Sequence, residues 1–264
     1  MRALVTGVTR GIGRSLVDHL VAGGWEVAAV GRRETALREL AAAWGPTVRP
    51  YVADVTDRAA LERVASAAGD LDLVVANAGA LTAAGRFWES DVEEWWHGFE
   101  VNTRGVAVTA RAVLPAMVAR GSGRLVLMTS GIGNAPSPWG SQYAASKAAV
   151  TRFGESLAQE LEGTGVHCFH ISPGTVRTDM TLWPADLLRF RPELARIPDD
   201  DWTPVDRVQM LLDRIASGSL DALSGRFLHA TDDPDRLLAA VRVAGPRART
   251  LRLVPAEDAD PVAR

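Results

Sequence analysis

The residues best suited to chemistry are Tyr143 and Lys147, which lie four positions apart in the stretch SQYAASK. Lys147 is the only lysine of the chain, and Tyr143 is one of two tyrosines. Residues four apart lie on one face of a helix, so the ammonium group would lie near the phenol. A cation favours the phenolate, and we expect it to lower the pKa of Tyr143 from about 10 toward neutrality, as general acid/base catalysis requires. The alternative is an ordinary helix surface on which the two side chains are spaced by accident.

A glycine-rich turn near the N-terminus is suited to binding phosphate. The apolar run at 3–6 predicts a short strand, a helical pattern runs through Leu16 and Leu20, and Gly7, Gly11 and Gly13 lie between them. In a strand–turn–helix unit the backbone N–H groups and the helix dipole face an anion, and glycines let a pyrophosphate approach the backbone. The sequence therefore predicts nucleotide binding here, with a purely structural turn as the alternative.

Arginines follow the next predicted strand, at 25–30, where NAD-binding folds place a carboxylate for the ribose hydroxyls. The two residues at this point are Arg32 and Arg33, whose guanidinium groups suit the 2′-phosphate of NADP. Arg10, inside the glycine turn, would contact the same phosphate from the other side. The pattern favours NADP(H) as the cofactor, and the alternative is that Arg32 and Arg33 are only solvated in a loop.

Predicted strands and helices alternate along most of the chain. We expect strands at 3–6, 25–30, 48–53, 71–76, 124–130, 166–172 and 226–230, and helices at 35–44, 58–68, 91–120, 141–161 and 205–216. This pattern predicts an α/β fold, a single-domain Rossmann doubly wound parallel sheet of about seven strands with helices on both faces. Ligands of such sheets bind outside the carboxyl ends of the strands. Five residues follow strands there, namely Asp54, Val55, Asn77, Ala78 and Gly79; Asp54 has a second interpretation, as the N-cap of the next helix.

Composition indicates a globular protein of 264 residues with 47% apolar residues and a net charge of −3. The charge argues against a nucleic-acid surface, and no apolar run approaches the 18 or so residues that a membrane helix needs. The first residues already form a predicted strand, so we expect no signal peptide and a cytoplasmic protein. The single cysteine, Cys168, lies in an apolar run and is expected to be a buried structural thiol.

These motifs, in this order, resemble the short-chain dehydrogenase/reductase family, in its NADP-preferring form with an Asn-Ser-Tyr-Lys tetrad. The glycine turn has the pattern T-G-x-x-x-G-x-G, residues 173–178 match P-G-x-V-x-T, and Ser130 precedes Tyr143 at the spacing found in the family. The resemblance covers about residues 1–180. It implies a catalytic tetrad of Asn102, Ser130, Tyr143 and Lys147, in which Asn102 holds a helix kink and a water of the proton relay.

The resemblance also implies which residues contact NADP(H). The expected contacts lie in the glycine turn, after the following strands, in the tetrad and beside the nicotinamide: Thr6, Gly7, Thr9, Arg10, Gly11, Ile12, Gly13, Arg32, Arg33, Asp54, Val55, Asn77, Ala78, Gly79, Tyr143, Lys147, Pro173, Gly174, Val176 and Thr178. We expect no metal site.

The activity implied is an NADP-dependent oxidoreductase that interconverts a ketone and a secondary alcohol, with Tyr143 as the acid and base. Two alternatives stay open. The first is an isomerase, epimerase or dehydratase that recycles bound NADP without net redox change. The second is a non-catalytic NADP-binding sensor, which a complete tetrad disfavours.

Residues 1–232 are expected to form the Rossmann domain, within which 179–204 is a proline-rich, irregular segment suited to covering a substrate. Trp139 and Trp183 are the expected substrate contacts, because large aromatic side chains suit an apolar or aromatic small molecule. Residues 233–264 form an extension with a helical stretch at 235–243, an apolar run at 250–254 and a polar tail expected to be disordered. The resemblance implies a homodimer or homotetramer formed through the helices at 91–120 and 141–161.

Overall fold

One parallel sheet forms the centre of the protein, for which a computed structural model describes residues 1–182, 185–245 and 248–251. Its strands are β1 (Arg2–Thr6), β2 (Glu26–Gly31), β3 (Val48–Val52), β4 (Leu73–Ala76), β5 (Gly123–Met128), β6 (Val166–Ser172) and β7 (Phe227–His229). Their spatial order is β3-β2-β1-β4-β5-β6-β7, and every neighbouring pair is parallel. The predicted Rossmann fold with about seven strands is confirmed.

The order of the strands reverses between β1 and β4. β2 and β3 extend the sheet on one side of β1, and β4 to β7 extend it on the other. The connections that leave β1 and β4 therefore lead to opposite faces of the sheet, which opens a crevice at the carboxyl ends of these strands. The glycine turn after β1 and Asn77 after β4 meet there, since the Asn77 amide nitrogen donates to the Thr6 carbonyl at 2.9 Å.

Helices cover both faces of the sheet. Within the described residues they are α1 (Gly11–Ala22), α2 (Glu34–Trp44), α3 (Arg58–Ala68), α4 (Val92–Arg120), α5 (Ser141–Glu160), α6 (Ala185–Phe190), α7 (Val205–Ala216) and α8 (Pro234–Ala244). Two apolar clusters lie on opposite sides of the sheet, one formed with α1, α2, α7 and α8 and the other with α3, α4 and α5. None of the helices in this part of the chain is both long and apolar enough to cross a membrane.

The last third of the chain is more regular than the sequence predicts. The segment 179–204 contains α6 and three short 3₁₀ turns, so the expectation of irregular structure is wrong at these points. We call residues 179–204 the lid segment. The helix expected at 235–243 is confirmed as α8. Of the apolar run at 250–254, only 250–251 belong to the described residues, and the polar tail lies outside them.

His170 on β6 is fully buried at 0% exposure, beside Gly154 of α5. Neither ring nitrogen has a hydrogen-bond partner among the described residues. Burial, with a smaller contribution from the charge of Arg226, lowers the pKa of His170 to about 3. An unfolded histidine has a pKa of about 6.5. Between these two values the unfolded chain therefore binds a proton that the folded chain does not, and stability falls as the pH drops.

The low pKa of His170 in the folded chain predicts that the free energy of unfolding falls in acid. Relative to its value above pH 7, the contribution of His170 to the free energy of unfolding should fall by about 2 kcal/mol at pH 5, since each pH unit below 6.5 costs about 1.4 kcal/mol. The variant His170→Phe should lose this pH slope, and His167→Phe on the same strand should keep it. Urea unfolding at a series of pH values measures the slope; equal slopes in wild type and His170→Phe would contradict the prediction.

Candidate active site

The glycine turn packs too closely for side chains. Gly7 and Gly11 have φ of +72° and +54°, the left-handed region that glycine tolerates. A Cβ on Gly13 would lie 2.2 Å from the Gly7 carbonyl oxygen and 2.6 Å from Nδ2 of Asn77. The turn can therefore present its backbone N–H groups directly to an anion at the start of α1.

Thr6 holds the turn in place from behind. Its hydroxyl accepts hydrogen bonds from the backbone N–H groups of Asn77, at 3.0 Å, and Ala78, at 3.1 Å. These hydrogen bonds join the ends of β1 and β4. Thr6 is only 1% exposed and does not face the crevice. The expected contact between Thr6 and a cofactor is therefore replaced by a supporting role.

The crevice at the strand ends is a cleft of about 330 Å³. Most of the expected cofactor residues line it: Gly7, Thr9, Arg10, Gly11, Ile12, Gly13, Arg32, Arg33, Asp54, Val55, Asn77, Ala78, Gly79, Tyr143, Lys147, Pro173 and Thr178. Three do not. Thr6 lies behind the turn, Val176 is buried in the apolar core, and a Cβ on Gly174 would lie 2.1 Å from the hydroxyl oxygen of Thr203.

The sequence analysis missed seven further residues that line the cleft, namely Gly31, Ala53, Val101, Met128, Thr129, Asp179 and Met180. Gly31 and Met128 end β2 and β5, and Ala53 and Thr129 directly follow β3 and β5. The rule that ligands bind at the carboxyl ends of strands would have found these four. Val101 gave no such signal, because it lies inside a long helix.

Three arginines surround one end of the cleft. Arg32 lies 3.6 Å from Asp54, Arg33 donates to the Thr9 hydroxyl at 3.0 Å, and Arg10 donates to Asp179 at 3.0 Å. The side chains of Arg10 and Arg32 are 60% and 63% exposed, so they can contact a ligand from solvent. This cluster supplies charge-assisted donors of the kind that bind phosphate.

Asp54 is not the N-cap of α3. That position is held by Asp57, whose carboxylate accepts from the Ala60 N–H at 3.0 Å. Asp54 instead accepts from the backbone and hydroxyl of Thr56 at 2.9 and 2.8 Å. Burial raises the pKa of Asp54, but these hydrogen bonds and the charge of Arg32 together outweigh it and hold the pKa below its usual range.

Tyr143 and Lys147 lie on the first turns of α5 and line the cleft. Tyr143 is half-buried, and its side chain forms a hydrogen bond with that of Ser130 at the end of β5. Lys147 is buried, its ammonium group donates to the Met128 carbonyl at 2.9 Å, and it lies 5.4 Å from the centre of the Tyr143 ring. The structure therefore brings the three predicted side chains together.

We expected Lys147 to lower the pKa of Tyr143, and this expectation is wrong for the protein without a bound ligand. Burial raises the pKa of Tyr143 to about 12, and the hydrogen bond with Ser130 lowers it only in part. The ammonium group lies against the ring and is directed to the Met128 carbonyl, so it does not stabilise a phenolate. Burial also lowers the pKa of Lys147 to about 8. Tyr143 is therefore a protonated donor at neutral pH.

Asn102 supports the loop after β4. It is fully buried, accepts from the Ala80 N–H at 2.7 Å, and donates to the Ala80 carbonyl and the Ser146 hydroxyl at 2.9 Å each. A Cβ on Gly79 would lie 3.1 Å from Oδ1 of Asn102 and 3.6 Å from Nζ of Lys147. Asn102 is thus adjacent to the cleft behind Gly79 and lies within the helix α4.

Trp139 lies on the turn before α5 and contacts the lid segment. Its ring stacks on Phe190 of α6, with ring centres 5.6 Å apart and planes inclined by 2°. Its backbone φ of +62° is rare for a residue with a side chain, and its carbonyl accepts from the Gly85 N–H at 2.8 Å. Trp139 does not line the cleft itself, and Trp183 lies outside the described residues.

The family model for short chain dehydrogenases matches residues 1–183. Together with the parallel sheet and the cleft, this match shows that the chain belongs to the short-chain dehydrogenase family, a class of oxidoreductases. A short chain dehydrogenase of Pseudocercospora fijiensis is 38% identical over 187 residues, covering 67% of this chain and 60% of that protein. The NADP-dependent 3-hydroxy acid dehydrogenase YdfG of Salmonella typhi is 36% identical over 180 residues, covering 67% and 73%.

A solved structure confirms the fold over more of the chain. The closed form of a serine dehydrogenase complexed with NADP⁺ superposes with a TM-score of 0.75 at 29% identity, covering 87% of this chain and 94% of that one. The fold likeness to this structure therefore covers a larger share of the chain than the sequence likeness to the first two relatives does.

Proposed function

We propose that this protein is an NADP(H)-dependent oxidoreductase that interconverts a ketone and a secondary alcohol, with Tyr143 as the proton donor and acceptor. The observation that carries the proposal is the placement of Tyr143. Its phenol lines the cleft, is hydrogen-bonded to Ser130 and lies against Lys147. A protonated phenol beside a second hydroxyl is suited to holding and protonating a carbonyl oxygen.

The residues of the cleft fit a dinucleotide phosphate. Gly7, Gly11 and Gly13 form a tight turn that lines the cleft at the start of α1, where backbone N–H groups can bind an anion. Arg10, Arg32 and Arg33 would hold a 2′-phosphate at the other end, which favours NADP over NAD. Two comparisons support this choice, because one relative is named NADP-dependent and one solved structure contains NADP⁺.

When bound, NADPH supplies the hydride, and the side chains of this chain supply the rest. Ser130 and Tyr143 would donate hydrogen bonds to the substrate oxygen, and these bonds strengthen as the oxygen gains negative charge. Tyr143 then gives up its proton. The raised pKa of about 12 keeps this proton on Tyr143 at neutral pH, which suits the reducing direction. We assign Asn102 the role of holding the loop and a water through which the proton is replaced.

The proposed substrate is an apolar or aromatic small molecule. The stacked rings of Trp139 and Phe190 support this, because they join the turn before α5 to the lid segment and present apolar surface there. The name of the 36% identical relative, a 3-hydroxy acid dehydrogenase, is consistent with chemistry at a carbon that carries a hydroxyl group.

The proposal also includes assembly and location. Trp96 and Val118, which are 52% and 40% exposed, leave apolar surface on α4. Such surface supports a homodimer or homotetramer formed through α4 and α5. The proposed location is the cytoplasm.

Steady oxidation of NADPH with a panel of ketones tests the activity. We expect loss of NADPH absorbance in proportion to alcohol formed. If product forms while NADPH is unchanged, the protein recycles its cofactor as an isomerase or dehydratase would, and if nothing forms although NADPH binds, a sensor role is favoured.

Replacing Arg32 by alanine should shift the cofactor preference. A charge-assisted hydrogen bond to phosphate contributes about 1.5–3 kcal/mol, so KM for NADPH should rise by about 10- to 100-fold while KM for NADH changes by less than about threefold. The matched control is Arg38→Ala, which removes an exposed arginine that pairs with Glu34 on α2. Equal effects on NADPH and NADH would show that Arg32 does not select the cofactor.

A further inference from the structure

Among the residues that the structure describes, β7 is the last strand of the sheet, and it pairs with β6 on one side. An edge strand presents backbone N–H and C=O groups to which another chain can add a strand. Ala230, directly after β7, donates to the Ser172 carbonyl of β6 at 2.9 Å. Since backbone groups alternate between the two sides of a strand, those of Phe227 and His229 face outward. The capacity of β7 to accept a further strand depends on these two residues.

Arg249 occupies both outward groups of Phe227. The Phe227 N–H donates to the Arg249 carbonyl at 3.0 Å, and Nε of Arg249 donates to the Phe227 carbonyl at 3.1 Å. The guanidinium group also lies 5.6 Å from the centre of the Phe227 ring. A single residue of the C-terminal extension thus replaces the two hydrogen bonds that a neighbouring strand would make.

Asp232 occupies both outward backbone groups of His229. Its carboxylate accepts from the His229 N–H at 2.7 Å, and its own N–H donates to the His229 carbonyl at 2.9 Å. Asp232 and Arg249 also form an ion pair with each other. These two residues are called the edge cap below.

The chain that carries Arg249 is fixed to α5. The Leu251 N–H donates to Glu155, which is 4% exposed, and the Leu251 carbonyl accepts from Arg152. Arg249 itself has a φ of +60°, a conformation that costs a residue with a side chain about 1 kcal/mol or more. The surrounding contacts must offset this cost, so the segment is held in place and does not rest loosely on the edge.

We propose that the edge cap seals β7 against strand addition by a second copy of this chain. All four outward groups of Phe227 and His229 are satisfied within one molecule, so a second β7 could pair only by displacing Asp232 and Arg249. Subunits then associate through other surfaces. This inference is independent of the activity proposed above, and it gives the C-terminal extension a role in assembly.

The test uses the full-length double variant Asp232→Ala/Arg249→Ala. The matched control is Arg214→Ala/Asp235→Ala, which removes another Arg–Asp ion pair, of 2.7 Å, between α7 and α8. Light scattering after size-exclusion chromatography gives the mass of each protein over a range of concentrations. Hydrogen exchange of the Phe227 and His229 amides reports whether the edge is open, and circular dichroism verifies folding.

We expect wild type and control to share one mass with slowly exchanging edge amides, and the edge-cap variant to reach twice that mass as concentration rises. At low concentration both edge amides should exchange at least about tenfold faster. His229 loses its carboxylate acceptor directly, and Phe227 is exposed because the segment at 249 loses the guanidinium contacts that hold it to β7. Two results would overturn the inference. If the amides are exposed and the mass is unchanged, an open edge does not pair; if the amides stay protected and the mass is unchanged, the cap is not what closes it.

Discussion

Replacing Tyr143 by phenylalanine should lower kcat by about 10³-fold while the affinity for NADPH changes by less than about threefold. The variant keeps the ring that packs over Lys147 and loses the hydroxyl that bonds to Ser130. That hydroxyl is the proposed source of the proton, and it also stabilises the negative charge that develops on the substrate oxygen. Steady-state kinetics with NADPH and fluorescence titration of the cofactor measure the two quantities separately.

The chain offers a matched control for this substitution. Tyr51 on β3 is the other tyrosine, and Tyr51→Phe removes the same hydroxyl at a distance from the cleft. It should keep wild-type kcat. A Tyr143→Phe protein with near-wild-type turnover would remove Tyr143 from the mechanism, whereas parallel losses of turnover and NADPH affinity would indicate a general disturbance of the cleft.

Local patterns made the fold and most of the cleft predictable. Short apolar runs indicate most strands of the first 180 residues and helical spacing indicates the helices, and parallel pairing then brings the strand ends together. The glycine turn was equally predictable from local sequence. Positive φ at Gly7 and Gly11 and the close contact at Gly13 require glycine at these positions. The resemblance located Ser130 and Asn102, whose residue types alone gave little signal.

Long-range packing produced the errors. The pKa of Tyr143 depends on burial and on the contact between Lys147 and the Met128 carbonyl, neither of which the spacing of four residues can indicate. Gly174 faces Thr203, nearly thirty residues later, and therefore serves the base of the lid segment and not the cleft. Such contacts join parts of the chain that have no common periodicity.

Replacing Lys147 by methionine should lower activity and raise stability together. Burial lowers the pKa of Lys147 from 10.5 to about 8, so keeping its charge in the fold at pH 7 costs about 3 kcal/mol. Methionine has a similar length and no charge, and it gives up one hydrogen bond to Met128 worth about 1 kcal/mol. We expect the free energy of unfolding to rise by about 1–2 kcal/mol at pH 7, while kcat/KM falls by about 10- to 100-fold, because the cleft loses a charge-assisted donor that would hold the cofactor.

The pH dependence of the stability difference between wild type and Lys147→Met distinguishes the cost of the buried charge from a change in packing. The folded-state pKa of Lys147, about 8, lies below the value of 10.5 for an unperturbed lysine, so across this window the unfolded chain keeps a proton that the folded chain has lost. Wild type should therefore gain about 3 kcal/mol of stability relative to Lys147→Met as the pH rises from 8 to 10.5. This gain exceeds the difference of about 1–2 kcal/mol expected at pH 7, so the difference should shrink and then change sign. The comparison at each pH cancels the effect of Cys168, whose raised pKa is common to both proteins. A methionine variant that is less stable than wild type at pH 7, or whose difference from it is constant with pH, would show that the buried ammonium does not destabilise the fold.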